Sequence, residues 1–346
     1  MKIHVIFTGG TIGSQARPTT AALDVAEAAI PLLFSLFRKE RANSHVEFSS
    51  TSLFSVLSEN ISLPSWEQLY NKVQELSQND YDGIIITCGT DTLAYTSAFM
   101  AFMLDAALPV LMVSSDYPLG DVRANGVRNF IAAVDFIANV RCRGVFVPFG
   151  KMTAGKTTIH LGSRLQQALP FTHTFSSAGD VAFGQMDGYG NFQRLENKRN
   201  PTPEQLSIRP LTVPKFPSEK NILYLKAYPT MNYTILDFKE KPDAILHELF
   251  HSGTACVNPV YERHSIIPFV KRCLAQGIDL YAAPFEQGHL LYSTTKEMAD
   301  NGVVFIANTH CAAAYVKLLI AYGSFSDKGE RAAFIAENVA YEQIKT

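Results

Sequence analysis

Few of the 346 residues are cysteine (5) or tryptophan (1), and no long hydrophobic run occurs. The cysteines are odd in number and form no Cys-X-X-Cys pair, which argues against a zinc knuckle or a disulfide framework. The most apolar stretch, residues 98–114, contains Asp105 and Pro109 and is shorter than the roughly 20 residues that a membrane-spanning helix needs. We therefore expect neither a disulfide-rich protein nor a membrane protein.

Neither sign of charge is in excess, because 30 lysines and arginines face 32 aspartates and glutamates, a formal net charge of −2. Nucleic-acid binding depends on basic residues that neutralise phosphates, so we expect no nucleic-acid partner. No secretory signal precedes the first apolar run, Ile3–Phe7, and the expected location is the cytoplasm. A hydrophobic share of 47% against 18% charged residues excludes a disordered chain and indicates a large core.

Apolar runs that alternate with helical patterns predict an α/β fold. The strands expected in the first half lie at residues 3–7, 46–49, 52–56, 84–87 and 110–114. The helices expected there lie at residues 23–38, 64–76 and 91–104. This alternation indicates a mainly parallel sheet with flanking helices. We expect a larger N-terminal catalytic domain over residues 1–192, a proline-rich linker over 193–220 and a smaller C-terminal α/β domain over 221–346.

Two glycine-threonine loops stand out in the first half. The segment Thr8–Gly13 (TGGTIG) follows the first strand, and Cys88–Thr92 (CGTDT) follows the strand at 84–87. Each lies at the carboxyl end of a predicted parallel strand, where open α/β sheets bind ligands. Glycine allows a sharp turn and close approach of a ligand, and free N–H groups there can bind an oxyanion. Neither loop has the residues of a phosphate-binding loop. The alternative to a ligand-binding role is that both loops are plain strand-to-helix turns in which Thr and Asp cap the helix.

These residue types indicate acyl-transfer chemistry. A threonine hydroxyl attacks an acyl carbon once a base removes its proton. A second threonine can position water or relay protons, and Asp91 can accept hydrogen bonds from a substrate ammonium. We therefore expect a small, polar, charged substrate and no need for a metal or an organic cofactor.

Thr-Gly-Gly-Thr-Ile at 8–12 and Gly-Thr-Asp-Thr-Leu at 89–93 resemble, in order and position, the two motifs of the bacterial-type L-asparaginase family. Asn125-Gly126, Tyr228-Pro229 and Ser252-Gly253 extend the resemblance over most of the chain. It implies an amidohydrolase that releases ammonia from L-asparagine and gives L-aspartate through an acyl-enzyme. It also implies a homodimer or homotetramer. The lack of a membrane-spanning segment predicts no membrane partner.

The resemblance implies a role for each residue of the two motifs. Thr11 matches the acyl-accepting nucleophile. Thr90 matches the threonine that orients catalysis or the water, and Asp91 the aspartate that binds the substrate's α-amino group. Gly10 and Gly89 place backbone N–H groups where the substrate and the oxyanion bind.

Ser58-Glu59 resembles the family segment that grips the substrate's α-carboxylate and amino group, with a surface loop as the alternative. The family also has a tyrosine in a mobile loop shortly after the first motif, but Ser14–Ala22 contains no tyrosine. This departure predicts weaker activation of Thr11, a different base arrangement, or a substrate other than asparagine.

The second triad of the family departs as well. The family completes it with a lysine eight residues before an Ala-aromatic pair, and alignment on Ala168-Leu169 places His160 there, with Lys156 and Arg164 on either side. We expect Lys156 or His160 to act as the base, since Arg164 cannot lose its proton. Cys88 replaces the histidine that usually precedes the second motif, and we interpret it as a packed residue.

Two other functions remain open at this level. The chain could be a glutaminase or an amidotransferase-type subunit that passes ammonia to a partner. It could also be a degenerate family member that binds asparagine or aspartate as a sensor without turnover, which the missing tyrosine and lysine motivate. Release of ammonia separates an enzyme from a sensor.

Overall fold

The structure is a computed structural model and describes residues 1–10, 12, 14–16, 23–25, 29–105, 107–151, 155–208, 213–288 and 292–344. The chain divides into two compact units, Met1–Val213 and Pro214–Thr346. Over the described ranges, every helix is too short or too polar to cross a membrane.

The first unit is built on an eight-stranded sheet and also contains a separate two-stranded pair. The strands of this unit are β1 (Lys2–Gly9), β2 (Ser14–Ala16), β3 (Leu23–Val25), β4 (Glu47–Val56), β5 (Gly83–Thr87), β6 (Pro109–Val113), β7 (Gly144–Phe149), β8 (Lys156–Leu161), β9 (Gly184–Asp187) and β10 (Phe192–Arg194). Its helices are α1 (Ala29–Glu40), α2 (Leu63–Leu76), α3 (Leu93–Met103), α4 (Gly126–Asn139) and α5 (Pro203–Leu206). The sheet order is β10-β9-β8-β7-β6-β5-β1-β4, and β2 and β3 form a separate pair. Strands β4, β1, β5, β6 and β7 run parallel to one another. Strands β8, β9 and β10 extend the sheet, each antiparallel to the strand before it.

The centre of this sheet is buried on both faces. All five residues of β5 and of β6 are buried, which is typical of parallel strands covered by helices on each side. Helix α3 is apolar almost all round, and nine of its 11 residues are buried. Helix α2 begins with Pro64 in its first turn, and its Trp66 stacks on Phe99 of α3 with ring centroids 4.5 Å apart.

Three predicted elements of this unit, one helix and two strands, differ from the structure. The helix expected from residue 23 begins only at Ala29, because residues 23–25 pair with 14–16 as strand β3. The two short strands expected at 46–49 and 52–56 are the single edge strand β4. Its polar centre is accommodated because Ser49 and Thr51 hydrogen-bond the ring nitrogens of His4 on β1, at 2.8 and 3.0 Å.

The second unit carries a four-stranded parallel sheet in chain order. Its strands are β11 (Ile222–Lys226), β12 (Ala244–Glu248), β13 (Asp279–Phe285) and β14 (Val304–Ala307). Its helices are α6 (Ile266–Ala275), α7 (Ser293–Asp300), α8 (Cys311–Ser324) and α9 (Lys328–Ala336). The predicted fold class, a larger mainly parallel α/β unit followed by a smaller α/β unit, is confirmed. Of the segment expected as a linker, residues 193–194 belong to β10 and 203–206 form the short helix α5.

Candidate active site

The two glycine-threonine loops follow neighbouring strands and touch. In the pairing of β1 with β5, Phe7 lies opposite Thr87, and Thr8 Oγ1 donates to the Thr87 carbonyl at 2.7 Å. Beyond this point Gly10 adopts φ +77°, and a Cβ added to it would lie 2.3 Å from the nitrogen of Gly89. Both the backbone conformation and the contact therefore require glycine, and the loops meet backbone to backbone.

A third segment, which follows β4, packs against the second loop. Ser58 is buried, its Oγ donates to Asp91 Oδ2 at 3.1 Å, and its carbonyl accepts from Thr92 Oγ1 at 3.1 Å. A Cβ added to Gly89 would lie 2.5 Å from the Cβ of Ser58. Glu59, the next residue of the same short 3-10 turn, is exposed. The turn therefore fixes Ser58 and Asp91 relative to each other, with Glu59 at the surface.

A cavity of about 390 Å³ opens beside these loops. Its lining combines Thr90 and Asp91 of the second motif with Asp116, which follows β6, and with residues 167–171, 173 and 175. This volume lies at the small end of the range for small-molecule sites. All lining residues belong to the first unit.

The loop 166–176 forms one wall of this cavity. It is closed at its base by the Gln166 N–H, which donates to the Ser176 carbonyl at 2.9 Å. The side-chain amide of Gln167 donates to the backbone carbonyl of Asp91. The side chain of Phe171 is 99% exposed although it borders the cavity. Gln167 thus stands directly beside the second motif, a position that the sequence interpretation did not assign to it.

Asp116 is a second lining residue that the sequence interpretation missed. Asn125 is fully buried; its Nδ2 donates to Asp116 Oδ2 at 3.0 Å and to the Gly150 carbonyl at 2.9 Å, and its Oδ1 accepts from the Asp116 N–H. Burial raises the pKa of Asp116, against the opposing effect of His173 and Lys151. The sequence could have indicated Asp116, because it lies three residues after the end of β6, the strand next to β5, which the second motif follows.

The three candidate bases lie elsewhere. Lys156 is exposed at the start of β8, and its Nζ donates to Gln193 Oε1 at 3.5 Å. His160 is buried in the same strand, with Nδ1 2.8 Å from Ser177 Oγ and Nε2 without a partner among the described residues. Burial lowers the pKa of His160 to about 4. Arg164 is buried and donates to a backbone carbonyl at 2.8 Å.

The distance across the sheet explains this separation. Strand β8 lies three strands from β5, and neighbouring strands are about 4.8 Å apart, so roughly 14 Å separate them. A lysine side chain does not span that distance. None of Lys156, His160 and Arg164 is among the described residues that line the cavity.

Thr11, Cys88 and the expected absence of a metal are the remaining predicted features of the site. Thr11 lies outside the described residues, as does most of the loop that lacks the tyrosine. Cys88 is buried, and burial raises the pKa of its thiol to about 12, which fits a packed residue and not a nucleophile. In the part of the chain that the structure describes, no group of three or more His, Cys, Asp or Glu residues is arranged to hold a metal ion.

Comparison with known proteins yields one family and a consistent set of relatives. The family model described as "Asparaginase, N-terminal" matches residues 2–196. The D subunit of glutamyl-tRNA(Gln) amidotransferase from Methanosarcina mazei is 27% identical over an alignment of 361 positions. The alignment covers 99% of this chain and 78% of that protein. The protein of the same name from Methanobrevibacter smithii is 26% identical over 363 residues, covering 98% and 76%.

Among solved structures, the thermostable L-asparaginase from Thermococcus kodakarensis superposes with a TM-score of 0.79 at 22% identity and covers 100% of both chains. L-asparaginase I from Vibrio cholerae gives a TM-score of 0.76 at 20% identity and covers 99% of this chain and 98% of its own. At these identities the likeness establishes a shared fold.

Proposed function

Because the chain belongs to the asparaginase family, we propose that it is an amidohydrolase that releases ammonia from L-asparagine through a threonine-bound acyl-enzyme. The observation that carries the proposal is the meeting of the two motif loops, where Gly10 lies against Gly89 and Ser58 is hydrogen-bonded to Asp91. This arrangement brings the two motif loops to one edge of a parallel sheet, where such sheets bind ligands.

In the proposed reaction, Thr11 attacks the side-chain amide carbon of the substrate. Backbone N–H groups of the Gly10 and Gly89 loops stabilise the oxyanion, and ammonia leaves as the acyl-enzyme forms. Thr90 orients the water that then releases aspartate. Asp91 accepts hydrogen bonds from the α-ammonium group, since its carboxylate is already held in place by Ser58.

For the proton acceptor we propose Asp116 in place of Lys156 or His160. Asp116 lines the same cavity as Thr90, and its raised pKa brings it closer to the range that suits a general base near neutral pH. The hydrogen bond from Asn125 fixes the direction of its carboxylate.

A second candidate function is the supply of ammonia to a partner protein. It is favoured by the similarity over almost the whole chain to proteins named as the D subunit of glutamyl-tRNA(Gln) amidotransferase. The same amide chemistry would then use L-asparagine or L-glutamine as the ammonia source and depend on a second protein. For the free enzyme we propose a cytoplasmic homodimer or homotetramer.

Both functions are tested by measuring ammonia release from L-asparagine, L-glutamine and D-asparagine separately. We expect release from L-asparagine by the wild type and by Thr234→Ala, which alters an exposed threonine of the second unit. Thr11→Ala should abolish turnover with an unchanged circular dichroism spectrum. Substantial residual turnover would contradict Thr11 as nucleophile. Preference for L-glutamine would indicate a glutaminase, and binding of asparagine without ammonia would indicate a sensor.

A further inference from the structure

A second cavity, of about 350 Å³, lies within the second unit. Its lining comes from the segment that follows β11, residues 227–231, and from segments that follow β12. It therefore stands at the carboxyl ends of two parallel strands, the edge at which open α/β sheets bind ligands. Its walls are mostly aromatic or apolar, and its volume suits a small molecule. None of the residues proposed for amide hydrolysis belongs to this cavity.

One cation at this cavity is held in a defined orientation. His264 Nδ1 lies 3.0 Å from the Met231 carbonyl, so this nitrogen carries the proton and Nε2 is left as an acceptor. Nε of Arg263 donates to that Nε2 at 3.1 Å. Over the described residues, the structure records no partner for the two terminal nitrogens of Arg263. A guanidinium that is held through Nε keeps its terminal nitrogens for a ligand, and such a pair can bind a carboxylate with two hydrogen bonds.

Tyr233, an aromatic residue of the cavity lining, is held by contacts on several sides. The hydroxyl of Tyr233 donates to His247 Nε2 at 2.9 Å, so the tyrosine offers the cavity a ring and not a free polar group. That ring stacks on Phe269 with centroids 5.3 Å apart, and Arg272 donates to the Tyr233 carbonyl at 2.8 Å. A preformed apolar surface of this kind binds an aromatic or branched group without a large ordering cost.

The backbone of the cavity wall is itself strained. Thr230 adopts φ +64°, in the left-handed region that β-branched residues rarely enter. Such conformations persist where the surrounding structure enforces them, and they cluster at ligand sites. Thr230 is one of the lining residues.

We propose that this cavity binds a small monocarboxylate with an aromatic or branched apolar body. The carboxylate pairs with the terminal nitrogens of Arg263, and the apolar body lies against Tyr233 and Phe250. A single oriented cation in mostly apolar walls matches one negative charge, whereas a dianion such as a phosphate monoester would leave charge uncompensated. The proposal concerns the second unit alone and does not depend on the proposed function.

Cys256 provides the assay, because it lines the cavity and is exposed. The rate of its alkylation by N-ethylmaleimide, followed by peptide mass spectrometry on the full chain, reports whether the cavity is occupied. We expect 3-phenylpropionate to slow this alkylation in a saturable way. The neutral 3-phenylpropionamide and acetate should protect far less, because the first lacks the charge and the second lacks the apolar body.

Two charge variants complete the test. Arg263→Gln should weaken protection by 3-phenylpropionate about tenfold or more, the effect of losing a charge-assisted pair of hydrogen bonds. Lys271→Gln removes one positive charge from an exposed position outside the cavity lining and should leave protection unchanged. Equal protection by acid and amide, equal protection in Arg263→Gln, or no protection by the acid would each overturn the proposal. The assay measures alkylation of Cys256 and not release of ammonia, so failure here leaves the amidohydrolase proposal intact.

Discussion

Gly89 is the point at which the three segments of the candidate site meet, and Gly89→Ala tests that geometry directly. The added methyl would lie 2.5 Å from the Cβ of Ser58, 2.6 Å from its Oγ and 3.3 Å from the Cα of Gly10. Rotation of the serine side chain moves Oγ away but not Cβ, so the turn that carries Ser58 must shift. The backbone at Gly89 is not in the left-handed region, and the effect is therefore one of space.

Two contributions set the size of the effect. An extra methyl in a tightly packed position costs about 1–3 kcal/mol. Moving Ser58 also breaks its 3.1 Å hydrogen bond to Asp91, and because that carboxylate is exposed the loss is at the low end, about 1 kcal/mol. We expect Gly89→Ala to lower the free energy of unfolding by about 2–4 kcal/mol, which is roughly 5–15 °C in Tm for a unit of this size. Substrate affinity should fall with it, because Asp91 loses its positioning partner.

The double variant Gly89→Ala/Ser58→Gly separates packing from binding. Removing the serine Cβ frees the space that the new methyl needs, so urea unfolding should show most of the stability restored relative to Gly89→Ala. Michaelis–Menten kinetics should show KM still raised, as in Ser58→Gly alone, because the hydrogen bond to Asp91 stays absent. Wild-type stability and KM in Gly89→Ala, or a double variant less stable than the single one, would refute the packing of these three segments.

Three further predictions concern charge. Lys317→Met removes one member of the fully buried ion pair with Glu342 and should cost about 3–5 kcal/mol in urea unfolding; adding Glu342→Gln should recover part of the loss, and a further loss would contradict the pair's role. Asp116→Asn should lower kcat roughly 10²–10⁴-fold and remove the acidic limb of the pH–rate profile, while Asp121→Asn, outside the cavity lining, should change neither. The pKa of His160 is about 4 in the folded protein against 6.5 for an unperturbed histidine, so the stability it contributes is present above pH 6.5 and is lost as pH falls towards 4. The free energy of unfolding should fall by up to about 3 kcal/mol as the pH is lowered over that window. An equally large fall in His160→Gln would show that other groups cause it.

The fold was accessible from the sequence wherever burial determines the pattern. Strands β5 and β6 are buried on both faces, and such strands appear in the sequence as continuous apolar runs. The connection between β9 and β10 also has residues typical of a turn, because Gly188 and Gly190 flank Tyr189, whose backbone N–H donates to Asp187 at 2.9 Å.

Where a tertiary contact replaces local pattern, sequence-based prediction failed. The polar stretch in the middle of β4 predicts a break between two strands. In the folded protein, His4 on the neighbouring strand satisfies Ser49 and Thr51, so the strand continues. No local signal near residue 50 indicates that a histidine almost fifty residues earlier supplies these hydrogen bonds.

In the candidate site, too, some residues could be placed from the sequence and others could not. The direction of the strands separates the two groups. The carboxyl ends of parallel strands meet at one edge, so the residues that follow β1, β5 and β6 converge, and Asp116 could have been placed beside Asp91 by that rule. Counting eight residues back from Ala168 instead selects His160, which lies in β8. That strand runs antiparallel to β7 and lies three strands away from β5, and the ring of His160 contacts Ser177. The chain returns to the motif edge only through the loop 166–176, and Gln167 is the residue that arrives there. A base inferred from linear spacing is therefore reliable only once the direction of its strand is known, which the sequence of this chain did not reveal.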